Sequence, residues 1–73
     1  MSQEIQERLL KVQEELRQIQ AELSETEYPR LAVDMAVSAV NMAWHANRNE
    51  YGLAKHNLTD LLAVADYINI HRR

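Results

Sequence analysis

The chain has 73 residues, a formal charge of −3 and no cysteine, which excludes disulfide staples, thiolate metal sites and cysteine nucleophiles together. Chains this short bury only about 60% of the surface they expose when unfolded, and below roughly 70–80 residues one core rarely supplies more than about 3–5 kcal/mol unaided. One glycine, one proline and no phenylalanine speak against the many turns of a sandwich or barrel, so close helix packing, a second chain, or both must stabilise the fold.

The acidic balance provides no general basic field for nucleic acid or anionic lipid. No apolar run approaches the ~20 residues of a membrane span, and Met1-Ser2-Gln3-Glu4 lacks the basic-then-apolar pattern of a signal peptide. A cytoplasmic protein of bacterial or phage origin is therefore expected. Charge is divided unevenly: residues 1–27 hold seven acids against three bases, and residues 28–73 hold four against five. No repeat or low-complexity tract interrupts what reads as one domain, residues 1–73.

In the first third, Ile5, Leu9, Val12, Leu16, Ile19 and Leu23 recur at spacings of four and three. That is the seam of a coiled coil, and it predicts a helix over about 3–24. Ser2 is placed to cap it, and Glu4 suits the positive end of its dipole. With Leu at a and Ile or Val at d, the order favours four parallel strands over two. The stripe can pack on the chain's own later helices or on another chain.

Pro29 suits the first turn of a new helix, where its missing N–H costs nothing, and predicts a helix over about 29–47. Three rows run along it. Ala32, Ala36, Ala39, Ala43 and Ala46 form one; Val33, Val37, Val40 and Trp44 form a bulkier second. Asp34, Ser38, Asn41, His45 and Arg48 form a polar line, read as a solvated strip. A helix apolar over most of its circumference belongs in the middle of an assembly. The alanine row admits a close neighbour, either helix three or a symmetry copy of helix two.

Asn47-Arg48-Asn49-Glu50 reads as a turn, with Asn47 or Asn49 capping a third helix over about 50–71. Ala54, Leu58, Leu61, Ala65 and Ile68 line one face of it. Gly52 falls near its start, or else marks a turn that delays the helix to His56-Asn57. His71, Arg72 and Arg73 suit its negative C-terminal end. Tyr51, Gly52, Ala54 and Leu58 resemble the second helix of a tetratricopeptide-type hairpin. The resemblance covers one helix, without a second repeat, and implies an antiparallel helical hairpin.

Chemistry-bearing motifs are sparse. No Gly-rich phosphate loop, HExxH or G-x-S-x-G is present. Asp34 and His45 are about 16 Å apart along one helix at 1.5 Å per residue, too far to act together. His56 and Asp60 have the i,i+4 spacing that can hold one metal, with His45 or His71 as the His candidates for a third ligand; the plainer reading is a surface His beside a carboxylate. Nucleic-acid binding would rest on Arg30, Arg48, Lys55, Arg72 and Arg73, without a basic helix or interleaved aromatics. No catalytic residue, metal or cofactor is expected.

The expected architecture is an all-α, three-helix antiparallel bundle or helical hairpin with an N-terminal coiled-coil-like helix. The expected function is a small non-enzymatic protein–protein interaction module of adaptor, inhibitor or chaperone type. It would self-associate as a dimer or tetramer, dock on a larger protein, or do both, without a membrane. The heptad stripe and the alanine row are the candidate interface. A nucleic-acid-associated regulator and a metal-binding bundle are the alternatives.

Overall fold

A computed structural model describes residues 3–25 and 27–71. The expected cap at Ser2 and the basic Arg72 and Arg73 lie outside them. The described residues form three helices and no strand: α1 (Gln3–Glu22), α2 (Tyr28–Asn47) and α3 (Tyr51–His71). Each boundary falls within two residues of the expectation. Pro29 occupies the first turn of α2, and Glu27 stands at its N-cap in extended conformation.

The turn between α2 and α3 is closed by backbone geometry. Asn49 takes a left-handed φ of 62°, which asparagine tolerates better than most residues. Its N–H donates to the carbonyl of Ala46 at 3.0 Å, and that of Glu50 to the carbonyl of His45 at 2.9 Å. These are the two bonds of a Schellman C-cap. Asn49 therefore ends α2 and does not cap α3, and Asn47 still belongs to α2, both contrary to expectation. The first turn of α3 instead begins with the Ala54 N–H donating to the carbonyl of Glu50, at 3.0 Å. Gly52 lies inside that first turn, so the alternative start near His56-Asn57 does not occur.

The polar side chains hold the same turn. His45 Nδ1 lies 3.0 Å from Glu50 Oε1, and Arg48 Nε lies 3.4 Å from the same oxygen. At the other end of the α2–α3 pair, the Tyr28 hydroxyl donates to the backbone carbonyl of His71. The start of α2 thus meets the end of α3, and the two run antiparallel.

Both outer helices pack on α2, and α1 and α3 make no contact with each other among the described residues. The Cα envelope is 42 × 25 × 13 Å. Three helices side by side at interaxial distances of about 8–10 Å fill the 25 Å width, so the bundle is an open layer with α2 in its middle. A single layer encloses little. Among the described residues only Val37 and Ala54 are buried, each 7% exposed.

Candidate interaction surface

A ladder of polar side chains joins α1 to α2. Gln13 Nε2 donates to Asn41 Oδ1, and Gln20 Nε2 donates to Asp34 Oδ1. Gln6 lies against Asn47 and Trp44. Its amide oxygen accepts from Asn47 Nδ2 in one orientation, and from Trp44 Nε1 at 3.1 Å in the other. Gln6, Gln13 and Gln20 are seven residues apart and meet residues of falling number on α2, which sets an antiparallel register.

The polar line of α2 is therefore no solvated strip. Asp34, Ser38, Asn41 and His45 are all half-buried, and three of them are hydrogen-bonded to α1 or to the α2–α3 turn. Burying such groups is tolerable because they are paired.

Arg30 closes the ladder at the α1–α2 connection. Its Nε donates to Asp34 Oδ1 at 3.0 Å, and its Nη1 to the carbonyls of Gln20 at 3.0 Å and Leu23 at 3.3 Å. The last carbonyls of a helix lack intrahelical partners and carry the negative end of its dipole. A guanidinium from the following helix reaches two carbonyls at the end of α1, that of Gln20 also accepting from the Leu23 N–H at 3.2 Å. Arg30 is thus spent on the fold, and the sequence pattern of α2 alone does not reveal it.

The α1 stripe divides between two environments. Leu9, Leu16 and Leu23 are half-buried, as are the three glutamines, so the row facing α2 alternates Gln and Leu. Val12 and Ile19 stay 45% and 47% exposed, and Ile5 is similarly open. At 100° per residue, Val12 and Ile19 lie beyond the leucines on the flank opposite the glutamines. The glutamine partners Asp34 and Asn41 likewise mark one flank of α2, and Val33, Val40, Ala36 and Ala43 fall on the other.

The two helices therefore show their apolar flanks on the same side of the layer. Ala32 and Ala43 are exposed there, while Ala36, Ala39 and Ala46 are half-covered. Helix α3 offers its own small residue, the buried Ala54, to α2. Leu58 and Leu62, both exposed, lie across α3 from Val64 and Tyr67, the pair that meets Leu31 and Glu25. They extend the apolar surface towards α3.

The opposite side of the layer has a shallow groove at the open end of α1 and α2, lined by Gln3, Gln6, Leu10, Trp44 and Arg48. Arg48 lies 4.6 Å over the Trp44 ring, a cation–π contact. Together with its contact to Glu50, this engages Arg48 within the protein.

The candidate chemical groups are not gathered. Asp34 is held by Gln20 and Arg30, and His45 by Glu50. His56 and Asp60 are exposed on α3, as is Lys55. Among the described residues no three His, Asp or Glu side chains converge as metal ligands, and no helix is long and apolar enough to cross a membrane. No protein-family model, curated protein or solved structure matches this chain.

Proposed function

We propose that this chain is a non-enzymatic protein–protein interaction module whose working surface is the apolar side of the layer. The observation that carries this reading is the exposure of Val12 and Ile19 beside Ala32 and Ala43, with only two buried apolar residues among those described. Contiguous apolar surface of this kind is uncommon on a self-contained domain and marks contact sites. Asp34, His45, Arg30 and Arg48 are instead engaged in holding α1 and the turn to α2. Lys55, His56 and Asp60 lie exposed on α3, with no third metal ligand beside the last two among the described residues. Adaptor, inhibitor and chaperone roles all use such a surface.

Site-specific photo-crosslinking in the cells that make the protein tests this. A photoreactive side chain at Val12 or Ile19 should give discrete adducts. The same group at Glu14, exposed on another flank of α1, should give few. Equal labelling at all three positions would remove the assignment of this surface.

A further inference from the structure

We propose that the occupant of the apolar side is a second copy of this chain, in a two-fold symmetric dimer. The inference rests on reading that side as an interaction surface and names the partner.

Area supports it first. A compact protein of 8.5 kDa exposes about 4,700 Å² by the scaling of surface with mass, whereas this one exposes 5414 Å². The excess, about 700 Å², is close to the roughly 800 Å² that each partner gives to a stable interface. Covering about that area would bring the exposure of each chain to that of a compact globule of its own mass.

Shape supports it second. A two-fold interface uses the same patch on both copies, so the patch must complement itself. This one carries both halves of a fit. Ile5, Val12 and Ile19 form a bulky row with a seven-residue repeat, about 10.5 Å along a helix. Beside it, Ala32, Ala39 and Ala46, and Ala36 with Ala43, repeat at the same interval. A two-fold axis parallel to the helices lays α1 of one copy over α2 of the other, antiparallel, so that the bulky row enters the alanine row twice. Ile5, Val12, Ile19, Val33 and Val40 are uncharged like the alanines, and Arg8, which shares a recess with Ile5, Leu9 and Val12, borders the bulky row with a side chain long enough to keep its charged end in water.

Sedimentation of the full chain over a dilution series tests the proposal with two variants. Val12→Glu puts a charge into the contact, and Ala43→Leu fills the alanine row. Both positions are exposed in the single chain, so both variants should keep their helical circular dichroism. The native protein should show twice the 8.5 kDa chain mass, and each variant should weaken association by more than about thirtyfold. A native protein of single-chain mass at every concentration overturns the proposal, and so does a dimer that both variants leave unchanged. If the native chain is monomeric yet the crosslinker at Val12 captures a different protein, the interaction surface stands and the second copy does not.

Discussion

Replacing Arg30 with alanine should lower the unfolding free energy by about 2–3 kcal/mol, measured by denaturant unfolding. Hydrogen bonds involving a charged group contribute roughly 1.5–3 kcal/mol. Arg30 makes three such bonds, one to Asp34 and two to carbonyls at the end of α1. Its removal leaves Asp34 with Gln20 alone among these contacts and takes the guanidinium away from the last carbonyls of α1. Arg30→Lys should recover only part of the loss, because an ammonium cannot reproduce the planar fork that reaches three oxygens. An unchanged midpoint in Arg30→Ala would show that the guanidinium is not what fastens α1.

Two alanines given the same substitution should behave differently. Ala54 is 7% exposed where α3 meets α2, and Ala54→Leu should cost about 1–3 kcal/mol because the added atoms force closely packed helices apart. Ala43 is exposed on the apolar side. In the dilute single chain, Ala43→Leu should leave stability within about 0.5 kcal/mol. Thermal unfolding of both variants at low concentration checks the contrast. A tolerated leucine at Ala54 would mean that α2 and α3 do not approach closely. A large loss at Ala43 in the monomer would mean that the alanine row already has a neighbour within the chain.

Much of this fold could be read from residue spacing. Pro29 marked the start of α2, and the heptad run from Ile5 to Leu23 marked α1, because helix periodicity and helix starts are local properties. The roll of α1 on α2 was not local. Ranking positions by hydrophobicity puts Ile5, Val12 and Ile19 in the seam, whereas the structure puts Gln6, Gln13 and Gln20 there, opposite Asn41, Asp34 and their neighbours.

The signal for that choice was present in two places far apart in sequence. A row of glutamines repeats every seven residues on α1, and a polar line runs along α2. Neither row alone explains itself, but antiparallel pairing satisfies both and leaves the aliphatic row facing outward. The structural role of Arg30 is not legible in the sequence for the same reason, since its acceptors include carbonyls of the preceding helix. The turn was misassigned because Asn49 suits a helix N-cap and a left-handed C-cap equally well, and only the backbone path distinguishes them.

The candidate surface was legible as a set of residues but not as one side of the molecule. Sequence spacing identified the aliphatic row of α1 and the alanine row of α2 separately, without showing that the glutamine ladder brings them together. A layer with one apolar side open gains stability when that side is covered, by mass action, in proportion to how tightly the cover binds.

Thermal unfolding followed by circular dichroism over a wide range of protein concentration tests this most directly. If a second copy covers the apolar side, Tm of the native chain should rise steadily with concentration, and Val12→Glu should flatten that dependence. A native Tm that is the same at every concentration would contradict the account.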